Sequence, residues 1–232
     1  MAKQGLPRLL LYKRDASPPS CAVMMLGDML GLNFEYREPD LLNRGHKSEE
    51  FKKINPMGTI PVLQDGDFIV SESHAIMKYL LNQYGGSARE RLYPSEPRQQ
   101  AAVDQCLFFN AGVLFNRLMA VTLPTLFHGL PGPSAQQLAD IEEAYSVVEA
   151  YLKDNKYIAG DRLTIADLSL GTTVSAAQAI LEINKDKFPR SYEWLTKLHN
   201  EEVFKKINNP GAALFGRSMN SFWRKNKKWV VL

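Results

Sequence analysis

Residues 55–76 read NPMGTIPVLQDGDFIVSESHAI and hold most of the structural punctuation in this chain. Pro61 stands at the head of an apolar run, a place where a strand needs no ladder N–H. Asp65-Gly66 separates that run from a second one at Phe68–Val70, which is a hairpin signal. Ser71 and Ser73 then offer caps for a helix carrying Ala75, Ile76, Tyr79 and Leu80 and ending near Gly85-Gly86. On the N-terminal side, residues 8–12 are apolar and followed by a polar turn, suiting a buried first strand. Pro18-Pro19 opens a helix with Val23, Leu26, Met29 and Leu30 on one face, because proline costs little at a first helical turn. Residues 33–37 alternate Phe34 and Tyr36 with polar side chains, and Ser48 caps a short helix with acids in its first turn. The order is βαβαββα within residues 1–86.

Residues 87–97 hold two prolines and no periodicity and read as a linker. From residue 98 to 232 the pattern is helical. Leu138, Ile141, Tyr145, Val148 and Leu152 form a stripe, and Thr164 with Asp167 has the T-x-x-D form of a capping box. The fold class expected is an α+β N-terminal domain followed by an all-α C-terminal domain.

Composition narrows the chemistry. A net charge of +3 is too mild to make nucleic acid the default partner. Two cysteines, Cys21 and Cys106, with no C-x-x-C and no Cys/His cluster, give neither a disulfide framework nor a metal site. No run of about 18 apolar residues and no signal-peptide pattern occurs, so a cytoplasmic protein without a membrane span is expected. Both cysteines sit among apolar helical neighbours and read as packing. The tail FWRKNKKWVVL, from Phe222, mixes basic and aromatic residues and reads as a cap over an apolar pocket rather than a membrane or nucleic-acid contact.

Two helix N-termini, after Ser17 and at Glu72-Ser73, would converge at one end of such a sheet, and each is a ready anion site. A carboxylate on the Ser73 amide and hydroxyl, with an ammonium at Glu72, would suit an α-amino acid. The plainer reading is that Ser71 and Ser73 only cap the helix. Base rates alone make the Ile60–Pro61 bond trans.

The chain resembles the cytosolic glutathione S-transferases, and within them the insect delta/epsilon group, epsilon most closely. The resemblance rests on Ser17-Pro18-Pro19, NP-x-x-TIPVL around Pro61, E-S-H-A-I from Glu72, F-x-x-G-V-L-F around Gly112, and Y-I-A-G-D-R-L-T-I-A-D from Tyr157. It implies a thioredoxin-like first domain with a cis Ile60–Pro61 bond, a homodimer, and no cofactor beyond glutathione as co-substrate. It implies that Ser17 hydrogen-bonds the glutathione sulfur, that Glu72 and Ser73 hold the γ-glutamyl end, Ile60 the cysteinyl backbone and His46 the glycine carboxylate. His74 stands where relatives often have Arg and would lie at the dimer contact and glutathione side. Leu118, Thr122, Leu126 and Phe127, with Arg117 and Met119 beside them, would wall the site of a hydrophobic electrophile. Two departures stand out. Gly58 occupies a position where relatives commonly have His, so a looser grip on the glycine end is expected. Ser20-Cys21 replaces the usual Cys-Arg. The implied activity is detoxifying conjugation. The rivals are a weakly catalytic ligandin that carries apolar molecules or hormone precursors, and a glutaredoxin-like oxidoreductase, against which the serine at position 17 argues.

Overall fold

The computed structural model describes residues 9–228. The N-terminal half runs β1 (Leu9–Tyr12), α1 (Pro18–Met29), β2 (Phe34–Arg37), a short 3-10 turn (Gly45–Lys47), α2 (Glu49–Ile54), β3 (Val62–Asp65), β4 (Phe68–Ser71) and α3 (Ser73–Tyr84). This is the βαβαββα order expected. The sheet is mixed, in the order β2-β1-β3-β4, with β1 parallel to β2 and antiparallel to β3. Its register aligns three strand ends. Tyr12 pairs with Val62, and Val62 pairs with Ser71, so the end of β1, the start of β3 and the end of β4 form one row. Strands lie about 4.8 Å apart, so the turn leaving β1 and the one leaving β4 depart roughly 10 Å from each other.

The helix α1 is buried on nearly every side, from Ser20 through Gly27, although one apolar face is all its spacing suggests. It packs on α3 and α8, so it has no solvent face to keep polar. At α2 the Ser48 side chain accepts the Phe51 N–H, the cap read from sequence.

Residues 87–97 are more than a linker. They contain α4 (Ala88–Leu92), with Leu92 fully buried and Tyr93 nearly so. Two apolar side chains in a polar stretch carry no period, yet they are enough to pin the segment to the core. The helical half then runs α5 (Pro97–Phe109), a π-helical turn (Asn110–Leu114), α6 (Phe115–Phe127), α7 (Ala135–Tyr151), α8 (Ile165–Ala177), α9 (Pro189–Asn200), a second π-helical turn (Phe204–Asn208) and α10 (Asn209–Lys227). The continuous run Pro97–Phe127 is long and apolar enough to cross a membrane by length and composition. In this fold it is the spine of the helical half, and its polar side chains Asp104, Asn110 and Arg117 are paired with Lys78, Ser169 and Glu143.

At the centre lies α8, all thirteen of whose residues are buried. Its hydroxyls do not stay unpaired: Thr172 donates to Ser169 O, and Ser175 to Gly171 O, the back-bonding open to Ser and Thr inside helices. The capping box at its start is present, and Asp167 does more than cap. Its carboxylate accepts Ile158 N–H, Thr164 N–H and Trp194 Nε1–H, each at 2.9 Å. Complete burial outweighs these donors and pushes its carboxyl above the ordinary carboxylate range.

Candidate functional site

The β1–α1 turn brings Ser17 to the head of α1 in extended backbone, φ −102° and ψ 112°. In that position a serine would normally cap its helix. Here its side chain makes no capping bond, and Pro19 at the second helical position removes one of the two N–H groups that a cap serves. The turn closes through Ser17 N–H to Arg14 O at 3.0 Å. The hydroxyl is left half-buried and available.

Across the row of paired strand ends lies the start of α3. Glu72 holds φ 72° and ψ 112°, a left-handed conformation that non-glycine residues adopt rarely and at a cost of about 1–2 kcal/mol. No side chain caps α3, so the plain capping role for Ser71 and Ser73 is excluded. The consequence is an N-terminus with open amides, an exposed carboxylate at Glu72 and the Ser73 hydroxyl side by side. An ammonium and a carboxylate separated by one carbon match that arrangement.

Between these two sits Ile60, half-buried and immediately ahead of β3, with the Ile60–Pro61 bond cis rather than trans. Next to it the Gly45–Lys47 turn folds onto residues 57–58, where Lys47 Nζ donates to Met57 O at 2.9 Å. His46 Nδ1 is buried with no hydrogen-bond partner. Its ring is pushed below its ordinary pKa by burial first, then by Lys47 and Arg44. Gly58 has φ 56°, and a Cβ there would stand 2.6 Å from His46 O, 3.0 Å from Lys47 Cδ and 3.4 Å from Lys47 Nζ. The room a longer side chain would need is therefore taken by the backbone of the turn and by Lys47. A histidine at 58 would require that turn to move.

Ser17, Ile60, Glu72 and Ser73 thus share one edge of the sheet, with His46 and Gly58 beside Ile60. The sixth residue assigned to the glutathione side, His74, goes elsewhere. Its Nε2 lies 2.6 Å from Ser169 Oγ on α8, and Asn110 Nδ2 donates to the same oxygen at 2.7 Å. Ser169 Oγ thus links His74 to Asn110, whose own Oδ1 is buried without a partner. Burial pushes this ring down to about 4. His74 is a strut between α3 and α8.

The strut carries a pH signature. In the unfolded chain His74 takes up a proton near 6.5, while in the folded chain it does so near 4. Stability is therefore complete above about pH 6.5 and falls as pH drops towards 4, by about 3 kcal/mol for this group. His199, also depressed by burial and paired with Ser175, acts in the same direction. Urea unfolding at pH 7 and pH 4.5 is expected to give a much smaller difference for His74→Gln than for the wild type; equal differences would contradict this.

The helical wall is only partly as expected. Leu118 is fully buried and Thr122 nearly so, its hydroxyl donated to Leu118 O, so both belong to the core. They are enclosed because α6 is packed by α7, α8 and α10 together. Arg117 reaches α7, pairing with Glu143 and donating to Asp140 O. Leu126 and Phe127 are half-buried at the end of α6. Over the Phe127 ring, at 5.2 Å, stands the guanidinium of Arg44, itself in left-handed backbone at φ 57°. Sequence reading missed Arg44. Its only signal was a basic residue in the loop before His46.

The tail through Lys228 continues α10. Trp223 Nε1 donates to Thr125 Oγ1, and Asn226 Nδ2 donates to Thr125 O and Leu130 O, tying α10 to the end of α6. Trp229 and the residues beyond it lie outside the described residues. Cys21 and Cys106 are both buried, and burial raises each thiol to about 12, which removes them as nucleophiles. Among the described residues no group of His, Cys, Asp and Glu side chains has metal-site geometry.

Comparison with known proteins agrees with this fold. Residues 11–88 match the family model described as glutathione S-transferase, N-terminal domain, and residues 119–202 match glutathione S-transferase, C-terminal domain. Glutathione S-transferase 1 of Manduca sexta is 38% identical over 89% of this chain and 94% of its own length. Among solved structures, an epsilon-class glutathione S-transferase from the housefly, Musca domestica, superposes with a TM-score of 0.89 at 39% identity, covering 93% of this chain and 98% of that one. A glutathione transferase homologue from Drosophila mojavensis with bound glutathione gives 0.88 at 36% identity, covering 93% and 97%. With both halves matched and near-complete overlap at such identities, the chain belongs to the glutathione S-transferase family.

Proposed function

We propose that the protein conjugates glutathione to hydrophobic electrophiles, with the Ser17 hydroxyl donating a hydrogen bond to the glutathione sulfur and favouring its thiolate. The observation that carries this reading is Ser17 itself: a serine at a helix head whose hydroxyl does no capping, on the edge shared with Ile60, Glu72 and Ser73. In this reading Glu72 takes the γ-glutamyl ammonium, Ser73 and the α3 amides its carboxylate, and Ile60 the cysteinyl backbone. His46 holds the glycine carboxylate through Nδ1, helped by the Lys47 charge. On binding, the thiol proton leaves to solvent. The thiolate sulfur then attacks the electrophilic carbon, a C–S bond forms, and the leaving group departs with its electron pair. Rate comes from proximity and from thiolate population rather than from a general base. The apolar partner enters beside Leu126 and Phe127. Detoxification in the cytoplasm is the setting this chemistry suits, and glutathione is a co-substrate rather than a cofactor. Turnover of an aryl halide with glutathione, monitored by the conjugate's absorbance, tests the reading; binding of both without turnover would move it to the ligandin alternative.

In the same reading the protein acts as a homodimer, through the face where α3 meets α5. Phe108 is 72% exposed there, next to the Lys78–Asp104 ion pair, and Phe68 is exposed with its ring against Tyr79 of α3. Light scattering is expected to give twice the 26.2 kDa chain mass for the wild type and a monomer for Phe108→Glu. A monomeric wild type would contradict it.

A further inference from the structure

The turn that carries Ser17 is gripped from outside at the Asp15 carbonyl. Asp15 O receives the Cys21 thiol at 3.1 Å, from the first turn of α1. On its other side it meets Gly211, at the start of α10. A Cβ built on Gly211 would stand 2.4 Å from Asp15 O and 2.9 Å from Cys21 Sγ. Neither obstacle is the loose end of a long side chain: one is backbone and the other a buried thiol. Any side chain at 211 must therefore push α10 off the turn or push the turn towards Ser17.

The second option is the one open, because α10 cannot slide. Its far end is fixed by Trp223 and Asn226 on Thr125 and Leu130. Ahead of its start, Asn208 donates to Ser175 Oγ on α8, and Lys206 pairs with Asp28 on α1. Ala16, Pro18, Cys21, Gly211, Ala212 and Phe215 close the seam between turn and helix without room for a water. Burial, and after it the charge of Asp15, raises the Cys21 thiol to about 12, so it remains a protonated donor at any physiological pH. This gives the Ser20-Cys21 departure a physical meaning. A longer, charged residue at 21 would have no space beside Gly211, and the small thiol supplies the donor that the Asp15 carbonyl needs.

We propose that Gly211 and Cys21 are positioning residues for Ser17, clasping the Asp15 carbonyl so that the turn of residues 14–17 presents the hydroxyl to the sulfur. The inference rests on the role given to Ser17 above. The turn itself is closed by Ser17 N–H to Arg14 O, a long Arg14 N–H to Ser20 Oγ bond and the Lys13–Asp15 ion pair, and the clasp on the Asp15 carbonyl joins these in setting where the hydroxyl stands. Displacements of about 1 Å around a reacting centre cost up to about 100-fold in rate.

The test is an ultraviolet titration of the glutathione thiolate bound to the full-length enzyme, with kcat and KM measured alongside. Gly211→Ala is expected to raise the pKa of bound glutathione by about one unit, lowering kcat at pH 7 about threefold and kcat/KM about tenfold. The KM for glutathione should rise no more than about threefold, because the tripeptide contacts are elsewhere. Cys21→Ala, which opens no clash and keeps the fold if Gly211→Ala does not, should move the thiol pKa in the same direction by a smaller amount. Cys21→Ser, which keeps a donor, should restore it. A wild-type thiolate band that neither Gly211→Ala nor Cys21→Ala displaces would overturn the inference alone. A wild type with no such band would overturn the reading of Ser17, and the inference with it.

Discussion

Ser17→Ala is expected to lower kcat/KM for conjugation at pH 7 by about 100-fold while glutathione binding weakens only a few-fold. The size follows from the thiol. Free glutathione, like other thiols, has a pKa near 8.5, so only a few per cent is thiolate at neutral pH. Making thiolate the main species takes a shift of roughly two units, or about 2.7 kcal/mol. A hydrogen bond to a charged acceptor contributes about 1.5–3 kcal/mol, and a helix N-terminus about 0.3–1. The structure weights these two unequally. Pro18 and Pro19 strip two N–H donors from the first turn of α1, so the dipole acts with few hydrogen bonds of its own. The hydroxyl therefore carries most of the shift. Binding survives because Ile60, Glu72 and Ser73 do not depend on Ser17. Steady-state kinetics with an aryl halide and varied glutathione read both quantities. Loss of rate confined to KM, or a variant with near wild-type turnover, would contradict the role.

The second large effect lies far from the chemistry. Asp167→Ala is expected to destabilise the fold by about 4 kcal/mol, and to lower Tm by roughly 10 °C for a chain of this size. The alanine leaves Ile158 N–H, Thr164 N–H and Trp194 Nε1–H without an acceptor in a site sealed from water. Each unsatisfied buried donor costs about 1–3 kcal/mol. Asp167→Asn keeps one acceptor oxygen and places two hydrogens where only donors converge, so it should fall between alanine and wild type. Denaturant unfolding of the three proteins tests the order; an alanine variant within about 1 kcal/mol of wild type would show that water or a rearranged Trp194 replaces the carboxylate.

Much of this architecture was legible in the sequence because it is local. The Asp65-Gly66 hairpin, the Ser48 cap and the T-x-x-D box at Thr164 are each set by a few neighbouring residues, and each forms where its residues stand. A second capping box, Ser134 with Gln137, has the same local logic and was there to be read. What escaped depends on partners distant in the chain. Ser71 and Ser73 resemble caps, yet the left-handed Glu72 aims α3 so that neither serves as one. The resemblance implied a pocket wall at Leu118, which lies in the core because α7, α8 and α10 pack around α6. His74 was placed by the resemblance alone, whereas its environment is set by Ser169 and Asn110. The same holds for Gly211, whose partner is a carbonyl at the opposite end of the chain.

The site also divides its labour in space. In the proposed reading one sheet edge gathers the groups that grip a tripeptide, and the turn before α1 contributes the group that acts on sulfur. The register of Tyr12, Val62 and Ser71 is what brings them within reach of one small molecule. The most direct test of that arrangement is the pKa of the glutathione thiol in its complex with the wild-type protein, taken from the thiolate absorbance as pH is raised. A value of about 6.5 is expected, two units below the free thiol, with thiolate predominant at pH 7. A value near 8.5 would contradict the role given to Ser17.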